Sequence, residues 1–414
     1  MIEWNEEHQM MRDAVRRFVD TEIAPNIEEL EHGDTPPYDV LRKMFRTFGI
    51  DEAARQRFSK QIERARNGNG GTHQDIGNQA ANGNGRANGG GDALALQLIP
   101  IIELSRYCPG MVTALGVSVG LTAGSINSKG SVEQRERWAL DLMTFEKVGA
   151  WAITEPGSGS DAFGGMKSTA RRDGDGYVLN GSKTFITNGP YADTIVFICK
   201  LDEGNTANER KVVTFVLERG TPGLVQSKPL RKMGLHSSPT GELFLEDVRV
   251  GRDQLLGGED GAGSRDGAKD TFSVERTGVA AMALGIIDRC LELCLEYART
   301  RVQFGKPIGE FQLIQLKLAK MEVARMNVQN LVFRQLELAA NGKRPTLAEA
   351  SAVKLYSAQA AMEVTLEAVQ LFGGNGYMAE YTVEQLCRDS KVLQIYAGTD
   401  EIQISQIARS LLAN

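Results

Sequence analysis

Cysteine is scarce in this sequence and falls into no pattern. The five residues, Cys108, Cys199, Cys290, Cys294 and Cys387, form no C-x-x-C pair and no even framework, which excludes a disulfide-stapled scaffold. They read as reduced thiols of a cytoplasmic protein. Histidine is scarcer still: four residues, far apart and without H-E-x-x-H or comparable spacing, leave no metal site to expect. No G-x-G-x-x-G and no Walker A sequence occurs, so neither a Rossmann nor a P-loop nucleotide site is expected. A formal net charge of −6 lacks the basic footprint of a nucleic-acid binder. The opening MIEWNEEHQ has neither a basic leader nor an apolar core, so no secretory signal is expected. One long uncharged run, Tyr107 to Ser128, reaches the length of a membrane span. Its Gly, Ser, Thr and Asn content favours a core helix buried on all sides, with no stable membrane insertion.

What is present is ordinary for a globular chain. The 414 residues, 42% hydrophobic and 24% charged, have room for two or three domains. Met10, Met11, Ala14, Val15, Phe18 and Ile23 recur at helical spacing over 6–23, and Pro25 ends or bends that helix. A second helix is predicted from Tyr38 to Phe48, stopping at Gly49. Residues 67–91 are dominated by Gly and Asn and bury too little apolar surface to order themselves, so a flexible surface insertion is expected. Helical pattern resumes at Ala93 and runs to about Glu146, with Trp138 and Leu142 facing inward.

From Val148 to Val250 the period becomes two. Strands are predicted at Val148–Ile153, Ser168–Arg171, Tyr177–Leu179, Lys183–Thr187, Thr194–Lys200, Val212–Glu218 and Glu242–Val250, with hairpin signals at Asp173-Gly174 and Asn180-Gly181. Short strands without intervening helices indicate a small antiparallel barrel or sandwich. After a glycine-rich link, Gly257 to Gly267, helical pattern continues to the end. Val279, Ala283, Ile286, Ile287, Cys290, Leu291, Cys294 and Leu295 line one face; Phe311 to Ala340 is a long helix stopped by Asn341-Gly342, and Thr346 with Glu349 makes a capping box. The expected class is α+β multidomain: an N-terminal helical domain (1–147), a middle antiparallel β-barrel or sandwich (148–256) and a C-terminal helical bundle (257–414).

The stretch QLFGGNGYMAEYTVEQLCRDSKVLQIYAGTDEIQ, from Gln370 to Gln403, holds two glycine-interrupted turns, each leading into chain that can be helical. Backbone without a Cβ approaches ligands closely, and free N–H groups at a helix start suit phosphate; equally, such turns are ordinary helix ends with glycine stops. In its wording the stretch resembles the C-terminal signature of the acyl-CoA dehydrogenase family, flavoenzymes that oxidise an acyl-CoA between its α and β carbons. Many members carry the catalytic glutamate between the equivalents of Tyr396 and Gly398; here that position is Ala397.

The resemblance covers nearly the whole chain apart from the Gly/Asn insertion. In WAITEPGSGSD, it implies that Trp151, Ile153 and Thr154 contact FAD and that Ser160 contacts the CoA portion. In KTFITNG, it places Thr187 near flavin N5 and Phe185 where many relatives have a packing Trp. RVQFGKP resembles the segment in which an arginine, here Arg301 with Gln303 and Phe304, meets the FAD pyrophosphate of a neighbouring subunit. Gln370, Gly373, Gly374, Thr399 and Glu401 complete the implied cofactor site, and Arg276, Tyr396 and Gly398 border the substrate. This arrangement implies at least a dimer, and the family's usual homotetramer.

The implied reaction needs a base for the α-proton, and Ala397 offers only its backbone N–H, a donor for the thioester carbonyl. Glu275, directly before Arg276 in SVERTGVAAMALG, resembles the relocated base of isovaleryl-CoA and long-chain acyl-CoA dehydrogenases, which pair it with a small residue at the usual glutamate position. The other reading of Glu275 is a first-turn acid favoured by the helix dipole. The family implies electron-transfer flavoprotein as electron acceptor. A same-fold flavin oxidase or monooxygenase, and a subunit needing a related partner chain, are the alternatives.

Overall fold

The computed structural model describes residues 4–67, 89–206, 209–258 and 265–413, the description of 89 and 265–274 being of the backbone. The insertion expected to be flexible lies, over 68–88, outside the described residues, as does 259–264 of the glycine-rich link.

Asn5 caps α1 (Glu6–Phe18), its side chain accepting from the His8 N–H. The α-helix does not reach Ile23. Val19–Ile23 widens into a π turn and Ala24–Asn26 tightens into a 3-10 turn around Pro25, which has no N–H to continue the ladder. Met10, expected inward, is 72% exposed, because the buried stripe runs through His8, Val15 and Phe18 and leaves it on the flank. The helices α2 (Ile27–His32), α3 (Tyr38–Thr47) and α4 (Ile50–Arg66) follow, with Gly49 at φ 61° making the turn between the last two.

Beyond the insertion come α5 (Gly89–Ser105), α6 (Pro109–Leu115), a π segment (Gly116–Thr122), α7 (Ala123–Lys129) and α8 (Val132–Met143). The run Pro109–Lys129 is long and apolar enough to cross a membrane, but only 56% of an 18-residue stretch within it is buried. The expectation of burial on all sides therefore fails: Gly116 and Gly120 are exposed and Leu115, Val117, Val119 and Leu121 half-buried, since the π turn rotates part of the run out of the core. Ser131 and Gln134 form a capping box that starts α8, and Trp138 and Leu142 face inward.

The middle of the chain is a curled sheet of seven strands among the described residues: β1 (Gly149–Ala152), β2 (Thr169–Asp173), β3 (Gly176–Thr187), β4 (Thr194–Asp202), β5 (Val212–Glu218), β6 (Leu224–Gln226) and β7 (Thr240–Gly251). Most neighbours pair antiparallel, while β1 and β2 each run parallel to β4. Asp173-Gly174 is a hairpin, as its turn chemistry predicts, with Gly174 at φ 57°. Asn180-Gly181 is not. β3 passes straight through it, and the register slips there against β7. Gly181 lies against Ser168 where a Cβ would clash, and the Asn180 side chain is spent on pairing with Asp247 across the ladder, so the dipeptide makes a bulge. Along β4, Ile195, Phe197 and Cys199 enter one core while Val196 and Ile198 enter another, against Trp138 and Leu142. Burial on both faces explains its continuous apolar run.

The last third is helical: α9 (Arg265–Thr300), a short hairpin of β8 (Val302–Gln303) and β9 (Lys306–Pro307), then α10 (Gln312–Ala340), α11 (Leu347–Phe372), α12 (Thr382–Lys391) and α13 (Asp400–Leu412). Thr346 and Glu349 form the expected capping box, and Gly342 at φ 64° follows the end of α10. α9 packs against α5, α10 and α11, and its predicted face is buried apart from half-buried Leu295.

The helical and sheet regions are seated on one another by buried polar groups. Asn188 donates to Ala114 O and Gly149 O and accepts from the Tyr38 hydroxyl. Asp389, fully buried on α12, accepts from the Leu235 N–H, and Cys108 donates to Ser237 Oγ.

Candidate active site

The residues singled out in the sequence fall into three groups. The first lies on the sheet. Thr184 N donates to Thr154 O at 3.0 Å, bringing the Trp151–Thr154 and Phe185–Thr187 segments side by side. Beneath them, Lys183 Nζ bonds Ile153 O at 3.0 Å and Glu155 Oε1 at 2.9 Å. Glu155 also accepts from the Lys167 and Ser168 N–H groups. These bonds hold the Glu155 carboxyl below its ordinary range against the opposing effect of burial. Thr154 and Thr187 are half-buried, Ile153 is buried, and Ser160 sits on the exposed turn after β1. Phe185 is 69% exposed at φ 57°, a conformation bulky residues rarely hold. A simple core side chain is thereby ruled out.

The second group surrounds the hairpin after α9. Arg301 and Gln303 are exposed, and Phe304 is 94% exposed at φ 51°. The hairpin is tied to the glycine turn ending α11: Tyr297 stacks on Phe372 with ring centroids 4.1 Å apart, and its hydroxyl accepts from Asn375 Nδ2 at 3.0 Å. Gly373 has φ 62°, and a Cβ on Gly373 or Gly374 would meet nothing within 4 Å. Gln370 is exposed beside them. Among the described residues, no hydrogen bond spans the first and second groups.

The third group contains the candidate base. Glu275 is half-buried on α9, and burial pushes its carboxyl up to about 7, partly offset by Arg276 and Lys354. Tyr396 lies near it. Its phenol is pushed up by burial first and by Glu275 among lesser effects, and its hydroxyl contacts Met282 Sδ at 3.3 Å. Next comes a left-handed pair, Ala397 at φ 53° and Gly398 at φ 89°. Among the described residues none accepts from the Ala397 N–H. The two carbonyls of the turn are clamped instead: Gln403 Nε2 bonds Ala397 O at 3.0 Å and Gly398 O at 2.8 Å, and Lys354 Nζ bonds Gly398 O at 2.9 Å. Arg276 Nη1 is held by Ser351 Oγ at 3.0 Å. Thr399 caps α13, accepting from the Ile402 N–H, and Glu401 is exposed in its first turn.

Lys354, Gln403 and Ser351 were not anticipated. Lys354 had a signal: it is the lone charge on the apolar stripe Ala350, Val353, Ser357 and Ala361 of α11, where an unpaired ammonium is too costly to bury. Gln403 and Ser351 resemble any helical polar residue and had none.

Three models of one family match the chain: the N-terminal domain of acyl-CoA dehydrogenase over 5–50, its middle domain over 150–248 and its C-terminal domain over 265–412. A short-chain-specific acyl-CoA dehydrogenase of Megasphaera elsdenii is 40% identical over 79% of this chain and 84% of that protein. The solved butyryl-CoA dehydrogenase of the same organism superposes with a TM-score of 0.81 at 33% identity, covering all of both chains. An acyl-CoA dehydrogenase of Bacillus anthracis, solved with FAD, superposes with a TM-score of 0.80 at 29% identity, over 99% of this chain and 68% of that one.

Proposed function

Because this chain belongs to the acyl-CoA dehydrogenase family, and is an enzyme of that class, we propose that it binds FAD and oxidises an acyl-CoA to the trans-2-enoyl-CoA with Glu275 as base. One observation carries the reading: Glu275, pushed up to about 7 by burial, lies close enough to Tyr396 to raise its phenol, and the N–H of Ala397, the next residue along, meets no acceptor among the described residues.

The residues fit FAD. Phe185 presents an exposed ring beside Thr154 and Thr187, suited to a flat aromatic system. The open Gly373-Gly374 turn and exposed Arg301 offer close backbone approach and a planar donor fork for a pyrophosphate. Bound FAD supplies the two-electron acceptor for the β-hydride. The chain's own part is proton chemistry and alignment. The Ala397 N–H donates to the thioester carbonyl and stabilises charge developing there. The α-proton leaves to a Glu275 oxygen, whose raised proton affinity suits a base working near neutral pH. Arg276 sits beside it and limits how far burial suppresses its ionisation. The exposure of Arg301, Gln303 and Phe304 suits a role at the cofactor site of a neighbouring copy, which requires at least a dimer and fits the homotetramer. Electron-transfer flavoprotein takes the electrons onward.

The test is an anaerobic titration with acyl-CoAs, short chains first because of the short-chain-specific relative, following flavin absorbance in the wild type and Glu275→Gln. Bleaching in the wild type, lost in the variant while FAD and ligand stay bound, supports the proposal. Equal bleaching in both removes Glu275 from the mechanism. No bleaching by any acyl-CoA refutes the dehydrogenase reading.

A further inference from the structure

Lys354 is the one residue of this neighbourhood that pairs complete burial with a charge. Its side chain is 0% exposed on α11, a placement that needs compensation for the lost hydration of an ammonium. The compensation comes from the active-site turn itself. Nζ donates to Gly398 O at 2.9 Å and lies 3.5 Å from Asp400 Oδ1. Asp400 is in turn held through Oδ2 by Gln359 at 3.2 Å and Gln394 at 3.0 Å. The turn has reason to need holding: Ala397 carries a Cβ at φ 53°, which costs roughly 1–3 kcal/mol unless the surroundings enforce it.

We propose that Lys354 is a positioning residue for the reaction, fixing the Ala397–Gly398 turn so that the Ala397 N–H faces the thioester carbonyl. This inference rests on the reading of Glu275 as the base. The charged and titratable groups facing the pair are Arg276 beside Glu275 on α9, Tyr396 on the turn and Asp400 on α13. Arg276 is committed to Ser351, and Gln403, which also holds the turn carbonyls, is uncharged, so among the described residues Lys354 is the cation hydrogen-bonded to the turn. Its cation favours the ionised base, and removing it leaves burial less opposed.

The experiment measures kcat and KM against pH for FAD-loaded wild type, Lys354→Arg, Lys354→Gln and Lys354→Met, with Glu275→Gln alongside. Lys354→Met lowers kcat by on the order of 10²-fold through the misplaced donor while KM changes little. In both neutral variants the acid limb of kcat/KM moves to higher pH, whereas Lys354→Arg keeps the limb near its wild-type position. If the methionine variant does not fold, the glutamine and arginine pair still carries the comparison. A lower kcat with an unmoved acid limb in the neutral variants reduces Lys354 to a packing role and overturns the inference. Activity surviving in Glu275→Gln instead overturns the reading of the base, independently of what the Lys354 series does.

Discussion

Lys183 and Glu155 form a buried ion pair, 2.9 Å apart with side chains 0% and 5% exposed, that ties together the two sheet segments bearing Thr154 and Phe185. Removing one partner strands a charge, which costs about 3–5 kcal/mol. Lys183→Met is therefore expected to lower the urea midpoint and to weaken FAD retention, since Nζ also holds Ile153 O. Equilibrium unfolding with and without added FAD measures both. An unchanged midpoint would show the pair to be energetically idle.

The sheet pair was half legible. Both segments stood out as strings, yet nothing in either string said that the lysine of one neutralises the glutamate of the other. The same limit recurs elsewhere. Hydrophobic period placed the α9 face, apart from half-buried Leu295, because one-dimensional spacing is what burial imposes. It missed the π turn at Gly116–Thr122 and misread Asn180-Gly181 as a hairpin, because both are decided by neighbours distant in sequence. Ala397 was the most informative single residue. Its small side chain pointed to Glu275, and the clamp around its turn became visible only when α11 and α13 were brought together.

Glu275 is expected to impose an acid limb on kcat/KM. Burial raises its carboxyl to about 7, so the base is protonated and inactive below that pH and active above it. Glu275→Gln should lose rate by about 10²–10⁴-fold and lose the limb. For stability the sign is opposite. A raised carboxyl favours folding fully below its unfolded value of roughly 4.3, and that contribution is lost as pH rises through about 7. Stopped-flow flavin reduction across pH checks the first claim, and a limb retained in the glutamine variant would contradict it.

Asp389 should make the seating of the helical domains on the sheet pH-sensitive. Burial, then the nearby Glu31 charge, pushes its carboxyl up to about 7, against the Leu235 N–H, Gln385 and Arg388; Lys232 and Cys108 face the same junction. Its contribution to stability is complete below roughly 3.9 and is lost as pH rises through about 7. Asp389→Asn keeps an acceptor for Leu235 N and cannot ionise, so the fall in stability between roughly pH 5 and pH 8 should flatten. Urea unfolding at both values decides it, and identical slopes for wild type and variant would rule it out.

Arg301 gives the sharpest test of a site shared between copies. Loss of a hydrogen bond to a charged group costs about 1.5–3 kcal/mol, so Arg301→Ala should bind FAD about 10–100-fold more weakly without disturbing the fold, the side chain being exposed. Mixing then discriminates. An assembly containing Arg301→Ala and Glu275→Gln chains holds sites in which one chain supplies Glu275 and its neighbour supplies Arg301. Such sites are whole, although each variant alone is defective at every site. Co-expression should therefore recover dehydrogenase activity above that of either variant. If Arg301 served the same chain that carries its Glu275, every site in the mixture would lack one group or the other, and no recovery would occur.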